Sequence, residues 1–367
     1  METVCEKLVI PNAAKNALIK HLVALLRPKT RIDPQAQRFL IVSTTALGDT
    51  LWATPAIKAL REAHPHSYIG MLVSPIGREV LLNNPYIDDL FLVKNPALSS
   101  LFSLYGTLKK KCFSHIFIFH TSQRPVLPCA ALLQASVIIG TAGINKGLDA
   151  LLTECQPLDP KAHEIERRLK MVARLGAHAS TVEMDLFLNQ DDESQAQEWL
   201  NTLAIPSYLP LVALHPGAKD AFRRWPASHF IELGKRLNAH LGCSIFITGV
   251  PSEKDLVETI ASSIPGAIPV THLPLRAFAA LVKKMRIIVT NDTGPMHVAF
   301  AMKTPSVLLF SPSDPIRFGP YGVKKATVIA KKASCWPCLH RKCPSSFCLL
   351  QIGVQEVYDA VLDLLRN

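Results

Sequence analysis

The most restrictive feature of this 367-residue sequence is a series of short apolar runs, each followed by a loop and a helical stretch. The runs do not alternate apolar with polar residues, so we expect strands buried on both faces, as in a parallel sheet covered by helices. Five runs form a first series and four a second: FLIVST (39–44), YIGMLVS (68–74), LFLV (90–93), HIFIFH (115–120) and SVIIGT (136–141), then LVALHPG (211–217), CSIFITG (243–249), RIIVTN (286–291) and PSVLLFS (305–311).

A polar stretch around residues 189–210 separates the two series. At roughly 150 residues per domain, the length also predicts two domains. We therefore predict an α/β protein with two Rossmann-like, doubly wound parallel-sheet domains that face a cleft, where ligands bind beyond the carboxyl ends of the strands. The predicted division is an N-terminal extension (1–37), a first domain (38–205), a second domain (206–350) and a C-terminal helix (351–367).

The charge balance favours a polyanionic partner, because 40 lysines and arginines outnumber 29 acidic residues, a formal net charge of +11. Such an excess suits nucleic acid, an acidic membrane face or phosphorylated substrates. No recognised nucleic-acid motif is present, so we expect no nucleic-acid partner. No run approaches 18 apolar residues and no signal-peptide pattern opens the chain, so neither a transmembrane helix nor a leader is predicted.

Before the first strand, residues 12–26 carry an apolar stripe of leucines at positions 18, 22, 25 and 26. Up to residue 38, seven basic residues accompany three acidic ones. One interpretation is a basic amphipathic helix that lies on anionic lipid. The other is a helix docked on the body of the protein.

The first candidate site is TTALGDT, where a strand ends and Asp49 stands at the start of a helix. Aspartate is favoured there as a helix-capping residue, which is the structural interpretation. The functional interpretation is a general base that faces the cleft and accepts a proton late in the reaction.

The second candidate is NDTGPMH (291–297), a strand-to-helix turn with Pro295 at the first helical positions. Exposed backbone N–H groups and the helix dipole would form an anion site, to which His297 could add a donor. The alternative is a capped, buried helix with a satisfied histidine. No Walker A motif, GxxxxGK[ST], occurs in the chain.

Two further candidates follow strands of the second series. Arg223, in the segment HPGAKDAFRRWP, would face a diphosphate, and the alternative is a solvated basic turn. Glu253 could bind sugar or ribose hydroxyls, and the alternative is favourable placement in the first turn of a helix. No two aspartates are separated by a single residue, so the DxD motif of many metal-dependent glycosyltransferases is absent and arginines would have to neutralise a diphosphate.

The nine cysteines are an odd number, and five are scattered, which fits a reducing cytosol. The other four, Cys335, Cys338, Cys343 and Cys348, fall within fourteen residues. They could close a structural zinc or iron–sulfur site, or they could be reduced thiols beside the core.

Taken together, TTALGDTLWATPAIKALRE, LHPGAK…RRWP, FITGVPSEKD and TNDTGPMHVAFAMKTPSVLLFSPSDP resemble the bacterial heptosyltransferase family, from about residue 39 to residue 320. The resemblance implies the GT-B fold and an inverting transfer of heptose from ADP-heptose to the lipid A–Kdo inner core of lipopolysaccharide. It implies Asp49 as the catalytic base and Arg223, where the family often has lysine, near the donor phosphates. It also implies that five further residues contact the donor: Glu253, Asp292, Thr293, Gly294 and His297.

This resemblance leads us to expect a nucleotide-sugar donor, an acidic glycolipid acceptor, no obligate cofactor, and a cytoplasmic enzyme at the inner face of the membrane. Acceptor contacts are open, with Arg78 and Arg124 as candidates. Three alternatives are a transferase with another nucleotide-sugar or acceptor, a nucleotide-sugar epimerase or hydrolase, and a non-enzymatic polyanion-binding protein.

Overall fold

The computed structural model describes residues 12–27, 30–311, 313–331, 343 and 347–366. Two six-stranded sheets dominate this part of the chain, and neighbouring strands run parallel in both. The predicted fold class is therefore confirmed. Cys335 and Cys338 lie outside the described residues, so the predicted cysteine metal site stays a prediction.

The first sheet has the order β3-β2-β1-β4-β5-β6. Its strands are β1 (Arg38–Ser43), β2 (Tyr68–Val73), β3 (Asp89–Leu92), β4 (His115–His120), β5 (Val137–Thr141) and β6 (Glu154–Gln156). The helices of this half are α1 (Asn12–Leu26), α2 (Leu47–Leu51), α3 (Thr54–Ala63), α4 (Pro75–Leu81), α5 (Ala97–Lys110), α6 (Val126–Ala131) and α7 (Glu164–Val172).

The second sheet has the order β12-β11-β10-β7-β8-β9. Its strands are β7 (Leu211–His215), β8 (Ser244–Thr248), β9 (Ile268–Val270), β10 (Ile287–Asn291), β11 (Ser306–Phe310) and β12 (Ala326–Ala330). The helices that follow α7 are α8 (Gln190–Thr202), α9 (Ala227–Leu241), α10 (Lys254–Ser262), α11 (Leu275–Lys284), α12 (Gly294–Ala301), α13 (Pro315–Phe318), α14 (Phe347–Leu350) and α15 (Val354–Arg366). Short 3₁₀ helices occupy Pro34–Ala36, Asp149–Leu151, Ala173–Leu175, Ala221–Arg223 and Pro251–Glu253.

Both sheets have the same connectivity, because the chain starts each in the centre, builds outward on one side and then crosses to the other. The strand order reverses between β1 and β4 in the first sheet and between β7 and β10 in the second. At such a switch point the loops beyond two adjacent strands diverge and leave a crevice. The loops after β1, β7 and β10 carry the candidate residues of the sequence except Glu253, which follows β8.

The two halves are joined by buried polar contacts as well as by apolar packing. Arg276 of α11 forms an ion pair with Asp192 at 2.6 Å and donates to the carbonyl oxygens of Glu79 and Leu82 in the first half. Across the halves, helix α2 packs on α12 and α4 packs on α11. Within the described residues, no helix combines the length and apolar character that crossing a membrane requires.

Candidate active site

A cavity of about 720 Å³ lies between the two halves, at the switch points of both sheets. The first half contributes the segment 46–49 and a tryptophan, and the second half contributes residues from the segments that follow three strands, β7, β10 and β11. The lining residues are Ala46, Leu47, Gly48, Asp49, Trp52, Lys219, Asp220, Phe222, Arg223, Asp292, Thr293, Gly294, His297, Ser313 and Phe318.

Asp49 stands in the first turn of α2, where the chain leaves β1. Its Oδ2 accepts a hydrogen bond of 3.4 Å from the backbone N–H of Ala46, so the carboxylate does cap the helix. Its Oδ1 lies 3.3 Å from Nδ1 of His120, at the end of β4, and 3.5 Å from Nη2 of Arg168. The carboxylate therefore caps its helix and also borders the cavity.

The surroundings of Asp49 keep it ionised. Burial by itself would raise the pKa of this carboxyl, because the charged form loses hydration. The hydrogen bond and charge of His120, the charge of Arg168 and a hydrogen bond from Thr45 outweigh burial and hold the pKa of Asp49 well below its usual range. Asp49 is thus an unprotonated acceptor at any physiological pH.

Arg168 belongs to a buried charge network behind Asp49. Its side chain is fully buried and donates to Glu164 at 2.9 Å, and its guanidinium lies 5.5 Å from the centre of the Trp52 ring. Burial would raise the pKa of Glu164, but Arg168, Arg167 and Arg317 lower it. Since Arg317 comes from the second half and lies 2.9 Å from Glu164, the network also ties the two halves together beside the cavity.

Helix α12 begins on the opposite wall of the cavity. Thr293 precedes it in an extended conformation, and its side chain makes no capping hydrogen bond. Thr293 Oγ1 and His297 Nδ1 are buried and lack a hydrogen-bond partner among the described residues. Burial lowers the pKa of His297 to about 3, so the imidazole is neutral and can serve as a donor without carrying charge.

Arg223 lies at the end of the loop after β7, beside the start of α12. Its Nη2 donates to the carboxylate of Asp292 and, at 3.2 Å, to Ser313 Oγ, while Ser313 also donates to Asp292. Burial raises the pKa of Asp292, and the charge of Arg223 opposes that rise. Asp292 is buried and orients Arg223, whose guanidinium remains partly exposed toward the cavity.

Glu253 is the candidate that the structure places apart, since it does not line this cavity. Its carboxylate accepts from the backbone N–H of Val250 at 3.1 Å and lies 3.5 Å from Nη2 of Arg224. A Cβ atom added at Gly217 would lie 2.2 Å from Glu253 Oε2, so the loop after β7 passes directly over the carboxylate, and any larger residue there would displace it.

The cavity thus brings together six of the seven predicted site residues, and sequence analysis missed several of their partners. His120 and Arg168 stand next to Asp49, Glu164 pairs with Arg168 behind it, and Lys219 lines the donor side. The adjacent arginines of α7 follow an amphipathic helical pattern that is typical of a solvated face, so no local signal marks them as buried. Arg124, an acceptor candidate, instead donates to Asn16 of α1 at 2.5 Å. Among the described residues, no group of three or more histidine, cysteine or acidic side chains could hold a metal ion.

Two Rossmann-like sheets that share one cavity at their switch points form the GT-B architecture. The model of glycosyltransferase family 9 (heptosyltransferase) matches residues 127–348, and the chain belongs to this family.

Relatives and solved structures agree with this assignment. Lipopolysaccharide heptosyltransferase 3 of Escherichia coli K12 is 26% identical over 293 residues, which are 75% of this chain and 82% of that protein. The crystal structure of a family 9 glycosyltransferase from Veillonella parvula has a TM-score of 0.80 at 22% identity and covers 93% of this chain and 99% of its own. The structure of Escherichia coli ADP-heptose lipopolysaccharide heptosyltransferase II has a TM-score of 0.72 at 21% identity, and the match covers 90% of this chain and 98% of that chain. At 21% and 22% identity, these two structural matches support the assignment of the fold alone.

Proposed function

We propose that this chain transfers a heptose from ADP-heptose to the inner core (lipid A–Kdo) of lipopolysaccharide, with inversion at the anomeric carbon. The observation that carries the proposal is the cavity itself. An ionised carboxylate on the first half faces a partly exposed arginine and an uncapped helix start on the second. The names of the similar proteins, which include a lipopolysaccharide heptosyltransferase and an ADP-heptose enzyme, support the choice of sugar and acceptor.

Asp49 acts as the general base on the acceptor side. A carboxylate with so low a pKa is a weak base toward a free hydroxyl. It can still accept the proton late, when the attacking hydroxyl has become acidic through bond formation to the anomeric carbon. His120 and Arg168 orient the carboxylate and keep it unprotonated.

The donor diphosphate binds on the opposite wall. Arg223 and neutral His297 donate to the phosphate oxygens, the positive end of the α12 dipole faces them, and Thr293 and Gly294 shape the turn. Negative charge grows on the departing diphosphate, so donors already held in place stabilise the transition state more than the ground state. Asp292 holds Arg223 in this position.

An apolar pocket of about 460 Å³ adjoins the cavity and would accept the nucleobase. It is lined by side chains and backbone that include His215, Gly249, Val250 and Leu273. Glu253 lies against Gly249, and its carboxylate would bind the ribose hydroxyls between the base and the diphosphate.

The acceptor is a lipid-anchored glycan, so the enzyme would act in the cytoplasm at the inner face of the cytoplasmic membrane. Association with that surface would be peripheral. Positive charge suits both the phosphorylated acceptor and anionic lipid.

The test combines product analysis with a matched pair of variants. Purified protein is incubated with ADP-heptose and lipid A–Kdo acceptor, ADP release is measured, and NMR determines the anomeric configuration of the product. Asp49→Asn should lower turnover by about 10²–10⁴-fold and leave ADP binding unchanged. Asp255→Asn, an exposed position on α10, serves as the control.

Other outcomes would contradict particular parts of the proposal. Near-normal turnover of Asp49→Asn would refute its role as the base. Tighter binding of UDP-, GDP- or CDP-sugars than of ADP-sugars in a calorimetric screen would refute the donor. Release of free sugar or an epimerised sugar nucleotide without acceptor would indicate a hydrolase or an epimerase.

A further inference from the structure

Helix α1 is docked on the first half, yet it leaves its leucine stripe in solvent. Val23 is buried in the core of this half, and Asn16 bonds to the loop before α6 and to Lys146. The stripe predicted from the sequence lies on the neighbouring face of the helix. Its exposed side chains are Leu18, Leu22, Leu25 and Leu26, with Leu25 68% exposed.

Helix α5 extends this exposed apolar surface. Phe102 is 86% exposed and Leu98 69% exposed. They line a pocket of about 730 Å³ together with Leu26 and residues of α6. A soluble surface rarely exposes so many large apolar side chains in one patch unless another phase or partner covers them. We call α1, α5 and α6 with this pocket the apolar face.

The charge of the apolar face favours an anionic partner. The three helices contain no aspartate or glutamate. Their charged residues are Lys15 and Lys20 on α1 and Lys109 and Lys110 at the end of α5, of which all but half-buried Lys20 are exposed. Large apolar side chains rimmed by lysine are typical of elements that lie in the interface of an anionic bilayer.

The apolar face is also directly connected to the acceptor side of the cavity. Strand β4 ends at His120, whose ring contacts Asp49, and α6 begins six residues later at Val126. Arg124 in this connection holds Asn12 and Asn16 of α1. A bilayer against this face would therefore present a lipid-anchored sugar beside the base.

We propose that the apolar face docks on an anionic phospholipid bilayer, with Leu25, Leu26, Leu98 and Phe102 inserted among the acyl chains and the lysines on the headgroups. The link between docking and acceptor delivery rests on the proposed function. The docking itself is measured without donor or acceptor.

The test is flotation of the full chain with vesicles of phosphatidylglycerol and phosphatidylethanolamine, and with phosphatidylcholine vesicles. Binding to the anionic vesicles is expected and should weaken with salt. Leu98→Ser/Phe102→Ser should lower vesicle partitioning by roughly tenfold or more. Lys109→Glu/Lys110→Glu should weaken binding to the anionic vesicles and leave binding to the phosphatidylcholine vesicles unchanged. Tyr208→Ser, at an 81% exposed position between the halves, is the matched control and should bind like the parent.

Each outcome supports or overturns the docking. Partitioning that is equal for the parent and Leu98→Ser/Phe102→Ser would overturn it. So would a parent dimer, measured by sedimentation, that the double variant dissociates while vesicles remain unbound, because the face would then join two copies. Vesicle binding without transferase activity would refute the proposed function and leave the docking intact.

Discussion

Gly48 of the first half lies close to the His297 ring of the second half at the cavity, and Gly48→Ala tests whether catalysis needs this contact. A Cβ at position 48 would lie 2.6 Å from Cδ2 and 2.9 Å from Nε2 of His297. The ring has little room to move, because Trp52 packs against it edge to face at 4.7 Å between centroids. The halves or the ring must therefore shift.

The size of the shift follows from the contact distances. Ordinary van der Waals contact begins near 3.4 Å, so the added methyl lacks about 0.8 Å of space. A displacement of about 1 Å between reacting groups can lower the rate by about 100-fold. Overpacking costs about 1–3 kcal/mol, so the variant should fold while its kcat/KM falls by roughly two orders of magnitude.

The assay is ADP release with a water-soluble acceptor fragment, with thermal unfolding followed in parallel. Gly106→Ala is the control, since it also lies in a helix and an added Cβ there has no heavy atom within 4 Å. Gly106→Ala should keep its activity. A Gly48→Ala enzyme with kcat/KM within about threefold of the parent would show that this contact does not persist in the reacting state.

Three further results are expected. First, Arg168→Met should raise the pKa of Asp49, because burial would then be opposed by fewer charges, while Glu164 keeps its ion pairs with Arg167 and Arg317. The acid limb of the kcat/KM profile should therefore lie at higher pH in the variant than in the parent, and superimposable profiles would contradict this reasoning. Second, Arg223→Lys should keep kcat/KM within about tenfold, whereas Arg223→Ala should lose about 100-fold or more in steady-state kinetics, because lysine keeps the charge but not the planar donor fork. Third, acid should destabilise the fold, because burial lowers the pKa of His215 to about 4. Below about pH 6.5 the imidazole takes up a proton in the unfolded chain but not in the folded chain. The contribution of His215 to the free energy of unfolding is therefore fully present above about pH 6.5 and falls by about 1.4 kcal/mol per pH unit below it. Calorimetric melting between pH 7 and 4.5 checks this, and His215→Gln should reduce the slope without abolishing it, because burial also lowers the pKa of His163 and His297; an unchanged slope would refute the assignment.

Local patterns in the sequence predicted most of the two sheets. The nine apolar runs are strands because a chain segment buried on both faces must be apolar throughout, and this property is visible in four to seven consecutive residues. Strands β6 and β9, with three residues each, and the partly exposed edge strand β12 were missed. Short or half-exposed edge strands have too few buried positions to produce such a run.

For the candidate site too, local sequence patterns predicted some features and missed others. Asp49 and the segment 292–297 were predictable, because a strand that ends in a tight turn and starts a helix is a contiguous pattern with a known use for anions. Which of these segments face one another, and that Arg168 lies fully buried behind Asp49, depends on the packing of two halves distant in sequence. The sequence by itself determined the strands, the turns and the leucine stripe of α1. Only the tertiary structure decided which charges are paired and desolvated, and this pairing holds Asp49 ionised. It also decided which apolar stripe is left in solvent. Pairing and desolvation depend on neighbours that contiguous sequence does not specify.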